Sequence, residues 1–514
     1  MKYKVINKWQ NIIVYATIYV LSFMFLYKTW YIYRPTVFLG DDLSLLFLYK
    51  KGSFATGFIN VLSGIEHAYD KYRPLFVLML SIELSVFQNN INIYFIFNIT
   101  ICSLSILIFL NLIRKIAPNV PKDVLFLILI LLSTSRFLAY HITQVWGTLE
   151  HLSQLFAILS LNVLYTRKHT QQHSIQSLLS SALWSLLFAF LSVLVHERYL
   201  IIFVGFCVIY YIKISDYHYR NFLVFLSFAI CIITLFGRSW ITGIPTFLGT
   251  GGQQISINFS DILANTSQGF LSIVGLNWGP EYLIGANFLQ IGHYAKIHIV
   301  SIILILLSLY FHRIKIWTHE LFPCLVEIML IGFVLLIPPI LTIRMEQRWE
   351  YFPFIMLILV ISVSSSIISK TLNWWIVRGY FVSSLIINII YMNSFSNVYM
   401  VYASNVALKF HELIAANPGV FSRYIYFISG TEHCAWTFQE ENFALLYIEK
   451  PVKLKCISPG EISRELEESA QFIIMDYDGK FIILNKDLII KNSSHIVPAQ
   501  PGNIFKINRA NYSE

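Results

Sequence analysis

NIIVYATIYVLSFMFLYKTWYIYRPTVFLGDDLSLL, residues 11–46, decides the fold. Residues 11–33 are apolar apart from a few small polar groups and Lys28. That length matches the roughly 20 helical residues needed to cross a bilayer. A few residues further on stand Asp41 and Asp42, in FLGDDLSLL at 38–46. Adjacent carboxylates repel, and losing their hydration is costly, so an apolar surround must stabilise them. A paired acid just outside a membrane span can activate a hydroxyl or hold a cation at the bilayer surface. The competing reading is a solvated turn.

Composition extends the reading to the whole chain. Of 514 residues, 56% are hydrophobic and 13% charged, against roughly 25% charged in soluble domains. The mean hydropathy is +0.64. This describes an α-helical polytopic membrane protein. The formal charge of +9 does not indicate a nucleic-acid partner, because the basic residues are scattered over short loops, where they orient helices. The N-terminus, MKYKVINKWQ, carries three Lys and no small-residue cleavage site, which reads as a retained signal anchor. Cys102, Cys207, Cys231 and Cys324 fall in apolar stretches and read as small core residues. Cys434 and Cys456 lie in the tail, where an oxidising compartment would let them pair; two buried thiols are the alternative.

Apolar runs occur near 11–33, 91–113, 123–140, 152–166, 177–195, 199–212, 221–237, 297–311, 322–343, 351–369 and 375–393. The run 75–87 is short and carries Glu83, and reads as a juxtamembrane or half-buried helix. Leaving it uncrossed puts the basic loops on one side: the N-terminus, Arg114/Lys115/Lys122, Arg167/Lys168, Lys213/Arg220, Arg313/Lys315 and Lys370/Arg378. The positive-inside rule makes that side cytoplasmic. About 11 spans follow, with the tail outside; Lys50, Lys51, Lys71 and Arg73 in the first outer loop run against the rule. The chain then divides into a transmembrane module, 1–393, with outer loops 34–90 and 238–296, and a small extracytoplasmic mixed α/β domain, 394–514. The tail holds the charge run EISRELEESA and the strand-like runs RYIYFISG and QFIIMDYDGKFIILN. Asp478-Gly479 between alternating apolar runs is a hairpin signal. The loop 238–296 contains GTGGQQ at 249–254, without phosphate-loop spacing.

With that topology, the unusual polar residues gather at the outer face. They are Asp41, Asp42, Tyr72, Arg73, His141, Glu150, His151, His196, Glu197, Arg198, Arg344, Glu346 and Arg348. The inner connections hold Lys and Arg with no acidic partner evident in the sequence. A transporter usually places ionisable groups near the midplane on broken helices; clustering at one face suits a reaction on a lipid-linked substrate there. Each piece has an ordinary alternative. His196-Glu197-Arg198 could be a helix-end salt bridge, and it is not a zinc-protease HExxH. His141, His151 and His196 could bind a metal with the Asp pair, or could be hydrogen-bonded structural residues. Arg344 and Arg348 would share a face if helical and clamp a phosphate, or snorkel at a span end.

These motifs together resemble the GT-C class of integral membrane glycosyltransferases, which use polyprenyl-phosphate sugars. The resemblance covers residues 1–370. An acidic pair follows the first span. Tyr72-Arg73-Pro74-Leu75 resembles the Y-R-P-L that opens the next helix in the O-mannosyltransferase branch. His196-Glu197 resembles that branch's Lys-Glu after a middle span, and Arg348-Trp349-Glu350-Tyr351-Phe352-Pro353 its E-R-Y-x-Y-x-P. Gln347 stands where that motif has an acid, with Glu346 beside it, and the tail lacks tetratricopeptide repeats. The resemblance implies an inverting glycosyltransferase in a bacterial inner membrane with an extracytoplasmic site. A sugar would pass from a polyprenyl-phosphate donor to a hydroxyl of a glycan, lipid or protein. It implies Asp41 or Asp42 as the base, with Arg198, Arg344 and Arg348 near the donor phosphate. No cofactor, or a divalent cation at the Asp pair, would be needed. Alternatives are a flippase or exporter, or a polymerase or ligase, of lipid-linked sugars, and a scaffold acting through its tail.

Overall fold

The computed structural model describes residues 2–50, 73–165, 175–242, 258–277, 295–341, 346–394, 399–421, 423–428, 432–439, 441–448, 452–462, 469–476, 480–498 and 505–507. The chain forms two compact units. The first comprises Met1–Tyr33, Phe54–Val86 and Ile93–Phe395; the second comprises Arg34–Ser53, Phe87–Asn92 and Ser396–Glu514. Asp41 and Asp42 therefore group with the tail rather than with the helices that precede and follow them.

The first unit is helical. Among the described residues eight helices are long and apolar enough to cross a membrane, including Ile12–Tyr33, Ile91–Ile116, Tyr217–Ile241 and Gln347–Ile368. The chain is an integral membrane protein by that measure, but the expected count of about 11 does not follow. The runs 152–166, 199–212 and 297–311 form helices Thr148–Leu164, Ile202–Lys213 and Ala295–Phe311, of 17, 12 and 17 residues. The physical reason for the first two is that polar residues interrupt the helices just before them. The segment 122–164 is a helix, Lys122–Ser133, then single turns at Arg136–Leu138, Ala139–Thr143 and Val145–Gly147, then Thr148–Leu164. Gly147 is required in this path, since a Cβ there would stand 1.6 Å from the His141 carbonyl oxygen.

The run 75–87 forms the 14-residue helix Pro74–Phe87, too short to span on its own. Proline suits the first position of a helix, where its missing N–H leaves nothing unsatisfied. Glu83 is not at a wet interface but 1% exposed, accepting from Thr148 Oγ1 at 3.3 Å. The region expected as an outer loop, 238–296, contains the helix Phe259–Ile273, opened by Asn258 accepting from the Ser260 N–H. This helix packs on Phe322–Leu341 and Tyr351–Ile368. GTGGQQ lies outside the described residues, as do Tyr72, Arg167, Lys168 and Arg344.

The second unit is the expected mixed α/β fold. Strands β1 (Tyr424–Ile428), β2 (Lys453–Ile457) and β3 (Gln471–Asp476) pair in parallel in the order β2-β1-β3. Strand β4 (Phe481–Leu484) returns antiparallel on β3, with Phe472 opposite Leu484, as the hairpin signal required. Short strands β5 (Val497–Pro498) and β6 (Phe505–Ile507) extend the sheet through β3 and β6. Side chains alternate across a strand, and β1 is buried on both faces, as parallel strands are. Tyr426 and Ile428 join Phe472, Ile474, Leu484 and Ile489 on one side. Phe427 faces Phe438 at 5.0 Å and Phe410 at 5.7 Å on the other. Cys434 and Cys456 form a disulfide, tying helix Glu432–Phe438 to β2. The other four cysteines are free, with Cys102 and Cys324 buried.

Candidate functional site

In the first unit a buried ionic cluster forms where helix Ile175–Val195 stops. His196 is extended (φ −144°, ψ 113°) and starts the single turn Glu197–Ile201, its Nδ1 accepting from the Arg198 N–H at 3.3 Å. That bond places the proton of a neutral ring on Nε2, which stands 3.4 Å from Glu150 Oε1. The alignment is too poor for a hydrogen bond, so this contact is electrostatic. Arg73 grips Glu197 with both arms of its guanidinium, Nε to Oε2 at 2.5 Å and Nη2 to Oε1 at 2.7 Å. Arg198 donates through Nη2 to Glu150 Oε2 and lies 5.5 Å from the centre of the Trp349 ring. Arg348 pairs with Glu346 and sits 4.7 Å from the centre of the Trp146 ring. Arg73, Glu150, His196, Glu197 and Glu346 are all buried.

The energetics explain why these groups come as pairs. A lone buried charge is costly, and a buried pair is tolerable only with good geometry and satisfied hydrogen bonds. Burial pushes the Glu197 carboxyl up, but the Arg73 guanidinium and the His196 ring outweigh it and hold it well below the usual carboxylate range. The helix-end salt bridge considered for His196-Glu197-Arg198 is not local. Its partners, Arg73 and Glu150, come from elsewhere in the chain. Arg198 keeps one guanidinium nitrogen, Nη1, buried and without a partner among the described residues. A phosphate oxygen is the kind of acceptor such a nitrogen takes.

Other expected site residues fare differently. Arg348 lies in the single turn Gln347–Glu350, after an extended Glu346 (φ −117°, ψ 137°); the helical face expected to be shared with Arg344 falls on a residue outside the described ones. His141 and His151 do meet, edge to face with ring centres 5.3 Å apart. Neither makes a hydrogen bond through its ring nitrogens among the described residues. No set of three His, Cys, Asp or Glu able to hold a metal occurs among the described residues. His196 turns to carboxylates rather than to the other histidines.

The acid pair opens a helix in the second unit, Gly40–Lys50. Gly40 has φ +57°, a conformation that costs glycine little. Asp41 and Asp42 occupy the first turn, where exposed N–H groups and the helix dipole favour negative charge. Asp42 is 3% exposed, so the pair is not a solvated turn. Trp436 Nε1–H donates to Asp41 Oδ1 at 2.9 Å, and Ser44 donates to Gln439 Oε1 at 2.6 Å.

Two features escaped the sequence reading. Arg136, 2% exposed, donates to the carbonyls of Asn277 (2.6 Å) and Ser272 (2.5 Å), while Ser272 donates to Glu350. Arg136 within the apolar run 123–140 was a visible signal; the carbonyls it meets were not. The inner basic residues also have acidic partners after all. Lys213 stands 3.5 Å from Glu327, which also accepts from Tyr165 at 2.7 Å. Arg378 pairs with Asp123 at 2.5 Å. Both acids sit near the ends of apolar runs, where they read as part of the span. In comparisons with known proteins, no family model, curated protein or solved structure matches the chain.

Proposed function

We propose that this integral membrane protein is an inverting glycosyltransferase that moves a sugar from a polyprenyl-phosphate donor to an acceptor hydroxyl. The observation that carries the reading is the buried Arg73–Glu197–His196–Glu150–Arg198 cluster, with Arg198 Nη1 unpartnered among the described residues. A helical membrane protein retains so many buried ionic groups at a cost, and such groups mark function. A carboxylate of the Asp41–Asp42 pair takes the acceptor's proton. The acceptor oxygen bonds to the anomeric carbon as the bond from that carbon to the phosphate oxygen breaks on the opposite face. Polyprenyl phosphate leaves with the electron pair, and Arg198 stabilises its developing charge. The reaction belongs on the extracytoplasmic side of a bacterial plasma membrane, opposite the basic loops.

A second reading, translocation of a lipid-linked sugar, is favoured by Glu83, Arg136 and Glu350, which are buried within the helical unit as conduction paths require. One experiment separates the two. The full chain in nanodiscs is given a panel of synthetic polyprenyl-phosphate hexoses and pentoses, and release of polyprenyl phosphate is measured; in proteoliposomes, movement of the same lipids across the bilayer is measured. Release that disappears in Arg198→Ala supports transfer. Lipid movement without release overturns it in favour of translocation.

A further inference from the structure

The tail's helix Glu432–Phe438 is fastened on every side within the second unit. The Cys434–Cys456 disulfide holds it to β2. At its end Phe438 is fully buried, with ring centres 5.0 Å from Phe427, 5.2 Å from Phe410 and 5.0 Å from Phe443. Between these anchors stands Trp436, which donates its one N–H to Asp41. The indole lies against Gly40: a Cβ added there would come within 2.4 Å of the Trp436 ring. So the glycine serves both the left-handed backbone and the approach of the ring. Gln439 completes the contact from the next turn, accepting from Ser44 and donating to the Trp436 carbonyl at 3.1 Å. Phe38 N–H, just before the pair, donates to the Tyr447 hydroxyl at 2.8 Å.

We infer that the C-terminal domain is a positioning module for the acid pair, with Trp436 the positioning residue that fixes the Asp41 carboxylate. Trp436 takes Oδ1, and Asp41 is half-buried whereas Asp42 is 3% exposed, which makes Asp41 the carboxylate that an acceptor's hydroxyl can reach. The inference rests on the glycosyltransferase reading for its catalytic part, though the contact itself does not. A carboxylate held by one bond from a rigid indole loses rotational freedom, and such orientation is worth large factors in rate.

The test uses the full chain in nanodiscs. With indole 15N-labelled tryptophan, Trp436→Phe identifies the Trp436 N–H signal, and Asp41→Asn is expected to shift it. An unmoved signal overturns the contact whatever the activity. With the synthetic donor panel, Trp436→Phe, which keeps a ring and removes the N–H, is expected to lower kcat about 10- to 100-fold. Donor KM should stay within about twofold, because misorientation affects the transition state and not donor binding. Parental kcat in Trp436→Phe, with Asp41→Asn inactive, overturns the positioning role and leaves the glycosyltransferase reading standing. Parental transfer in Asp41→Asn overturns the choice of Asp41. Should Trp436→Phe not fold, Gln439→Ala is the second variant, expected to lower kcat several-fold with the same unchanged KM; parental kcat there overturns the role.

Discussion

Replacing Arg73 by Leu tests the ionic cluster most directly. Arg73 makes two hydrogen bonds to Glu197, at 2.5 and 2.7 Å, and the side chains are only 9% and 7% exposed. Removing one partner of a buried pair strands the other charge, at a cost of about 3–5 kcal/mol. Glu197→Leu should cost a similar amount by stranding Arg73. The double variant should cost less than the sum, since replacing a buried pair by apolar groups is often nearly neutral. A double-mutant cycle should therefore return a coupling of at least about 3 kcal/mol. The measurement is thermal unfolding of the protein in detergent, with each variant compared over a range of pH. The sign follows from the Glu197 carboxyl, which is held well below the usual range. Its stabilisation is fully present above the unfolded-state value, about 4.3, and is lost as pH falls through the lower folded value. The gap between parent and Arg73→Leu should accordingly close in acid. Strictly additive single variants, or a gap that widens in acid, would refute the reasoning.

Asp41→Asn and Asp42→Asn should differ, with Asp41→Asn reducing transfer by about 10²–10⁴ in a purified donor-release assay and Asp42→Asn leaving measurable turnover. Arg198→Lys, which keeps the charge but loses the forked geometry, should raise donor KM and lower kcat together in the same assay. Reducing the Cys434–Cys456 disulfide should destabilise the second unit by roughly 3 kcal/mol, the loop-entropy value for a separation of 22 residues; limited proteolysis with and without dithiothreitol reads it. Single cysteines at the exposed positions 89 and 260, in the expected outer loops, should label with an impermeant reagent added from outside, and cysteines at 115 and 213 should not; outside labelling of 213 would invert the assignment of sides.

The parts legible in the sequence were those carried by local pattern. Apolar length gave the helices, and period-two alternation around Asp478-Gly479 gave the β3–β4 pair. The same locality made Arg73, Glu150, His196, Glu197 and Arg198 visible as anomalies, because a charge in an apolar setting stands out one residue at a time. What stayed hidden was pairing. Arg73 and Glu197 are 124 positions apart, and nothing in either segment names the other. Asp123 and Glu327 sit in apolar runs with nothing beside them to mark a partner, yet they pair with Arg378 and Lys213. The affiliation of residues 34–53 with the tail was hidden for the same reason. It depends on an indole seated against a glycine nearly 400 positions away, a contact set by shape. Hydropathy also does not register a break such as the one through Ser135 and Gln144, and among the described residues eight helices, not about 11, are long and apolar enough to cross.

The short helices have a consequence for the lipid around the protein. At 1.5 Å per residue, Thr148–Leu164 and Ile202–Lys213 extend only about 26 and 18 Å, against a hydrocarbon thickness of about 30 Å. Glu150 and Arg198 lie at or just before the starts of these two helices, so hydrophobic mismatch acts where the cluster is. A bilayer meeting the exposed side of Ile202–Lys213 must thin there, or the cluster must be recessed below the headgroup plane. On the proposed glycosyltransferase reading, a phosphate on a lipid tail would then reach Arg198 without being lifted into water. Bilayer thickness then becomes a variable of the protein's activity, one that reconstitution into lipids of increasing acyl length would expose.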